Sequence, residues 1–317
     1  MTDTQKEVFK TPVNKIRLFE HGAPGSQNLK LTRKYYTEDM PDGRVKHIVQ
    51  NITDPDIVPY IPDGIGNSTD RQRIPAVLII PGGAFRRLVY NFEGEDVAKW
   101  LNSMGIAAFV LECRLPSDEH DNAEDVPLID AMRAMRVIRG RAQEFGIDEA
   151  KIGVMGFSAG GFMAALLSTA YESDVYADYK YKDEYDKLSA RPDFAVCSYP
   201  VISIDDCIEA GKRYMSEEQV LERISDSKAK ILHKYNPDKL VRPDMPPVFI
   251  CEMDDDRTTL SENSVGFYMA ARKAGVSAEL HIFRTGGHGY GCGDDFAQTG
   301  EWKVLFTKWI KSIGIIS

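Results

Sequence analysis

Surplus positive charge, paired cysteines and long apolar runs are what this chain lacks. Across 317 residues it carries 39 Lys and Arg against 48 Asp and Glu, a formal net charge of -9. An acidic balance without clustered Lys and Arg argues against nucleic acid or an anionic membrane as the main partner. The five cysteines, Cys113, Cys197, Cys207, Cys251 and Cys292, are odd in number and scattered. No pair has the C-x-x-C spacing of a zinc or redox site, so they read as reduced thiols in a reducing compartment. No apolar stretch approaches the roughly 18 residues that span a bilayer. Met1 to Lys10 is polar and has no signal-peptide core, which predicts a cytoplasmic protein. There is no fixed-period repeat and no low-complexity linker.

What is present is ample material for a core: 43% of residues are hydrophobic and 27% charged. From Ala76 onward, short apolar runs alternate with helical periodicity. Strands are predicted at Ala76 to Ile80, Ile106 to Leu111, Lys151 to Phe157, Phe194 to Ser198, Pro247 to Glu252 and Ala278 to Phe283. Helices are predicted around Val97 to Met104, Val126 to Phe145, Glu262 to Ala274 and Ala297 to Ile313. Continuous apolar strands between helices indicate an α/β fold with a mostly parallel central sheet covered on both faces. Residues 1–70 differ. Val45 to Tyr60 alternates loosely and holds Pro55 and Pro59, the pattern of an antiparallel N-terminal start to the sheet. Residues 171–192, rich in Tyr, Asp and Lys, read as an exposed excursion, and 205–246 as a partly helical excursion, a candidate cap. Neither has a core of its own, so the expectation is one domain over 1–317.

The strongest chemical signal is Gly156-Phe157-Ser158-Ala159-Gly160. It follows the apolar run Ile152 to Met155 and opens a small-residue helical pattern, the strand–turn–helix context that forces a serine into a strained turn at a strand's carboxyl end. A serine hydroxyl needs a base. Of the six histidines, His288 sits in a glycine-rich loop just after the Ala278 to Phe283 strand, where it can reach over the sheet. His281 lies inside that strand, and His21, His47, His120 and His233 have no strand-end context. A carboxylate must orient the imidazole. Asp254-Asp255-Asp256 follows the strand ending near Cys251 and gives the chain order Ser, Asp, His of an α/β-hydrolase. Position alone does not choose among the three acids. A hard-cation site there would need further oxygen ligands that no pattern supplies, so no metal or cofactor is expected. Pro81-Gly82-Gly83-Ala84-Phe85 closes the Ala76 to Ile80 strand, where small residues let backbone amides touch a substrate oxygen. Gly83 or Ala84, with Ala159, are the expected oxyanion donors. Phe85, Arg86, Glu93 and Tyr199 are candidate substrate contacts by nearness to these motifs. Glu93 equally suits a helix-start acid.

These stretches together resemble the α/β-hydrolases of the acetyl-xylan esterase and carbohydrate-esterase-like group. The resemblance extends to Leu18 to Gly25, Glu93 to Leu101, Arg191 to Ala195, Glu279 to Phe283 and Gly286 to Gly289. It implies that the acid is the last of the three, Asp256. That group usually follows this Asp with a Pro and small hydrophobics, where this chain has Arg257-Thr258-Thr259-Leu260. Its oxyanion loop often has a third Gly at the place of Ala84, and its rim after Thr169 is usually shorter. The expectation is a serine carboxylesterase for short acyl, chiefly acetyl, esters of a sugar or xylo-oligosaccharide. The substrate is a small molecule or oligosaccharide, with no nucleic-acid or membrane partner, and the oligomeric state stays open. Two rivals are a prolyl-oligopeptidase-type peptidase, which usually needs a large N-terminal domain, and a non-catalytic ligand-binding homologue, which usually lacks a member of the Ser–His–Asp set.

Overall fold

The apolar runs become the middle of a twisted sheet, and strands from the described part of the N-terminal segment before residue 65 are laid against its edge. The computed structural model describes residues 9, 13–64, 73–213, 216, 218–220, 226–293 and 297–317. The strands are β1 (Ile16–Arg17), β2 (Lys34–Asp39), β3 (Val45–Gln50), β4 (Asp56–Tyr60), β5 (Ile74–Ile80), β6 (Leu88–Val89), β7 (Ala107–Glu112), β8 (Ile147–Phe157), β9 (Ala195–Ser198), β10 (Val248–Met253) and β11 (Ala278–Phe283). Eight of them form one sheet in the order β1-β4-β7-β5-β8-β9-β10-β11. From β7 to β11 along that order every pairing is parallel, while β4 runs antiparallel to β7 and β1 antiparallel to β4. β7 and β10 are buried at every residue and β5 at all but its first. That continuous burial is what helices on both faces require.

The helices are α1 (Asp96–Ser103), α2 (Val126–Gly140), α3 (Ala142–Phe145), α4 (Ala159–Ala170), α5 (Ile204–Lys212), α6 (Asp226–Lys234), α7 (Ser261–Lys273) and α8 (Gln298–Ser312). Aromatic edges join α1, α8 and the sheet: Trp100 meets Trp302 at 5.1 Å, and Trp309 meets Phe249 at 5.5 Å. α4 is buried along eleven of its residues, Ala159 to Thr169, which explains its Gly- and Ala-rich composition.

Four expectations change. Only Asp56–Tyr60 of the Val45 to Tyr60 stretch joins the main sheet; β3 pairs with β2 and β6 in a separate three-stranded antiparallel sheet. The helix over Val126 to Phe145 breaks after Gly140, where a Cβ would stand 2.3 Å from the Tyr185 ring. Residues 171–192 are not merely exposed, because Tyr171 and Tyr176 are buried. Arg133 on α2 also donates to Asp183 at 2.7 Å and Asp186 at 3.0 Å. The 205–246 segment is anchored to the body, Lys234 lying 2.6 Å from Asp125, and none of its described residues lines the cleft at Ser158. Residues 214, 215, 217 and 221–225 of that segment, like 1–8, 10–12 and 65–72 of the N-terminal extension, lie outside the described residues.

Two buried ionic clusters hold the edge of the sheet. Glu112, at the carboxyl end of β7, accepts from Lys15 at 2.6 Å, Arg33 at 2.7 Å and Tyr35 at 2.9 Å, which pins the N-terminal segment. Just beyond it, Arg114 and Asp130 are both fully buried and paired at 2.7 Å. Breaking such a pair strands a charge. Asp130→Ala should lower the unfolding free energy by about 3–5 kcal/mol in urea titrations. The double change Arg114→Met with Asp130→Leu should lose much less, and a loss under about 1 kcal/mol for Asp130→Ala would contradict this account of the pair.

Candidate active site

β8 carries the chain up to a turn that only small residues permit. A Cβ on Gly156 would lie 1.9 Å from the Gly160 carbonyl oxygen, and one on Gly160 would lie 2.0 Å from that of Ile80. Between them Ser158 adopts φ 53° and ψ -118°, a conformation rare for a residue with a Cβ. The turn lifts the Ser158 hydroxyl off the strand and starts α4 immediately after it. The first amides of α4 therefore face the same place without helical partners.

β10 and β11 bring the other two groups. His288 Nε2 stands 2.9 Å from Ser158 Oγ, and His288 Nδ1 stands 2.6 Å from Asp256 Oδ2. With Nδ1–H donating to the carboxylate, Nε2 is left to accept the serine proton. Asp256 is enclosed: Thr258 N–H donates to it at 2.7 Å, Thr259 N–H at 3.0 Å and Thr259 Oγ1 at 3.1 Å. The residues that replace the usual proline-containing stretch thus supply donors that fix the carboxylate. Asp255 does something else. Its Oδ1 accepts the Gly286 and Gly287 amides at 2.9 and 2.8 Å, which shapes the loop that presents His288. His120 is instead bonded to Ser26 at 3.0 Å, and His281 to Glu279 at 2.7 Å.

Ser158, His288, Gly83, Ala84 and Glu93 line one cleft of about 750 Å³. Gly83 has φ 141°, Ala84 φ 57° and Phe85 φ 62°, a run of left-handed backbone that turns this loop outward at the cleft. Ala159 is buried next to Ser158, as the first residue of α4. Three of the candidate substrate contacts are placed elsewhere. Phe85 is in the core against Phe162, and Tyr199 is fully buried. Arg86 is exposed, its backbone carbonyl accepting from Gln50, and does not line the cleft.

Glu93 and Tyr199 are connectors. Glu93 Oε2 accepts the Gly82 amide at 2.8 Å and Oε1 accepts the Tyr199 hydroxyl at 2.9 Å; that hydroxyl accepts the Gly291 amide at 3.0 Å. One buried chain therefore ties the Gly82–Ala84 loop to the loop that carries His288, and the Tyr199 ring packs edge-on to the imidazole at 5.0 Å. Burial pushes the Glu93 carboxyl above its ordinary value, while the Tyr199 hydrogen bond and the nearby His288 pull it back. Sequence reasoning missed a further acid, Glu252, buried beneath Asp256. Burial, then the Asp256 charge, push the Glu252 carboxyl well above the usual carboxylate range, against the pull of hydrogen bonds from Met253 and Ser264. Nothing but its place at the end of an apolar strand marks it in the sequence.

The chain is similar to known proteins. The BD-FAE family matches residues 65–270. An acetylxylan esterase of Xylanibacter ruminicola is 31% identical over 240 residues, 75% of this chain and 45% of the relative. The endo-1,4-beta-xylanase B of Butyrivibrio fibrisolvens is 30% identical over 71% of this chain and 34% of its own. The chain thus spans less than half the length of these curated relatives. Among solved structures, an acetyl ester-xyloside bifunctional hydrolase from Caldicellulosiruptor lactoaceticus is 37% identical with a TM-score of 0.69, covering 84% of this chain and 91% of that one.

If Glu93 and Tyr199 act as one connector, their removal is not additive. Glu93→Ala and Tyr199→Phe, combined in a thermodynamic cycle of unfolding free energies, should show a coupling of about 1 kcal/mol or more. Additive losses would mean that the two side chains do not share a hydrogen bond.

Proposed function

The chain belongs to the BD-FAE family of α/β-hydrolase esterases, and on that premise we propose that it is a serine carboxylesterase for short acyl esters, chiefly acetyl groups on a sugar or xylo-oligosaccharide. The observation that carries the reading is the continuous chain Ser158 Oγ to His288 Nε2 at 2.9 Å and His288 Nδ1 to Asp256 at 2.6 Å. In this reading Ser158 Oγ attacks the ester carbonyl carbon as its proton passes to His288 Nε2. Negative charge develops on the carbonyl oxygen, facing the amides of Gly83, Ala84 and Ala159. The carbon–alcohol bond breaks, the alcohol leaves with the proton from His288, and an acyl-serine remains. Water, losing its proton to His288, then cleaves that acyl bond and restores the serine. Asp256 holds the imidazole in the tautomer that accepts and stabilises the imidazolium. No metal or organic cofactor enters these steps.

The acetyl-sugar part rests on the names of the relatives, an acetylxylan esterase and an acetyl ester-xyloside hydrolase. The reading also takes the chain as one α/β-hydrolase domain in the cytoplasm, supported by free cysteines, four of them buried. Among the described residues no helix is long and apolar enough to cross a membrane.

Ser158→Ala should reduce hydrolysis of 4-nitrophenyl acetate by three orders of magnitude or more while thermal unfolding stays cooperative. Near-normal turnover in that variant would remove the serine mechanism. Turnover of proline-containing peptides in place of acetyl esters would favour the peptidase.

A further inference from the structure

The three-stranded sheet forms one wall of the cleft, and that wall is cationic in a chain of net charge -9. Arg44, Lys46 and Arg87 all line the cleft that holds Ser158. Two of them are already matched: Arg87 pairs with Glu38, and Arg44 pairs with Asp42 at 2.8 Å while lying 5.1 Å over the Phe92 ring. Neither Glu38 nor Asp42 lines the cleft. Lys46 forms no ion pair within 4 Å among the described residues, although its charge reaches the Glu93 carboxyl and Glu38 stands opposite it in the β2–β3 register. Its backbone is held firmly, because the Asn91 side chain accepts the His47 amide at 2.9 Å and donates to the Val45 carbonyl at 2.8 Å. Those two bonds flank Lys46 and lock β3 to the π-helical turn Asn91–Glu95 that carries Glu93.

Glu93 and Asp96 are the acids on the cleft lining. Glu93 is occupied by Gly82 and Tyr199, and burial raises the Asp96 carboxyl against the pull of Lys99. Lys46 is thus the one Lys or Arg on the cleft lining with no direct ion pair among the described residues. A neutral sugar entering there would strip water from Lys46 and return no charge, whereas a carboxylate would return both charge and hydrogen bonds.

We propose that the cleft selects acyl esters of acidic sugars, the alcohol part being a uronate whose carboxylate pairs with Lys46, with Arg87 and Arg44 extending the positive rim. The inference rests on the sugar-esterase reading and narrows it. A single cation without a direct ion pair suits the single charge of a carboxylate better than the double charge of a phosphate. Local positive potential on an acidic protein also draws an anionic substrate inward, an effect that added salt weakens.

The test is a matched pair of probes, a monoacetylated methyl glucuronoside and the same monoacetylated methyl glucoside, which differ in one carboxylate. The ratio of kcat/KM, glucuronoside over glucoside, should be roughly tenfold or more at low salt. It should fall with ionic strength, collapse toward one in Lys46→Met and survive in Lys46→Arg. A ratio near or below one in the native protein, or a high ratio unmoved by Lys46→Met, overturns the inference and leaves the sugar esterase standing. Cleavage of 4-nitrophenyl acetate but of neither sugar overturns both this inference and the sugar reading. No hydrolysis of any of the three sinks the esterase itself.

Discussion

Everything at the site depends on how closely α4 approaches the end of β8. The separation is set by backbone meeting backbone, the Gly160 carbonyl under Gly156 and the Ile80 carbonyl under Gly160, with no room for a methyl group at either position. That contact forces Ser158 into positive φ and holds its hydroxyl at the carboxyl edge of the sheet. A strained residue persists only where its surroundings over-determine it. Here they do, because α4 is buried along nearly its whole length and cannot relax away from the sheet.

Once the serine is fixed, the parallel sheet brings the remaining groups to the same edge. β5, β8, β10 and β11 run in one direction, so the loops after them converge although their sequences are far apart. The loops after β5 and β11 are then secured by carboxyl groups. Asp256 orients His288, Asp255 gathers the glycine amides before it, and Glu93 with Tyr199 ties the Gly82–Ala84 loop to Gly291. Part of the acidic composition is therefore a set of acceptors for loop backbone.

The fold and the Ser158–His288 pair were legible in the sequence because both follow from local rules: apolar runs of strand length, a glycine-flanked serine between strand and helix, a histidine in a loop after a strand. What was not legible depends on where side chains point. Phe85 and Tyr199 stand beside the motifs yet face inward, and Asp255 differs from Asp256 only in which way a tight turn aims it. Gly140, just before the break between α2 and α3, is packed against the ring of Tyr185, distant in sequence, and β3 leaves the main sheet because its partners β2 and β6 are supplied by other segments. The cationic wall was hidden for the same reason, since Arg44, Lys46 and Arg87 are unremarkable in a chain with 39 basic residues until the small sheet sets them on one cleft.

The central claim is that Ser158 is made nucleophilic by His288, and its most direct test is covalent. After exposure to a fluorophosphonate probe, peptide mass spectrometry should find one adduct, on Ser158, formed far more slowly when His288 is changed to Ala in a folded protein. An adduct on another residue, or labelling of Ser158 at an unchanged rate without the imidazole, would contradict the account.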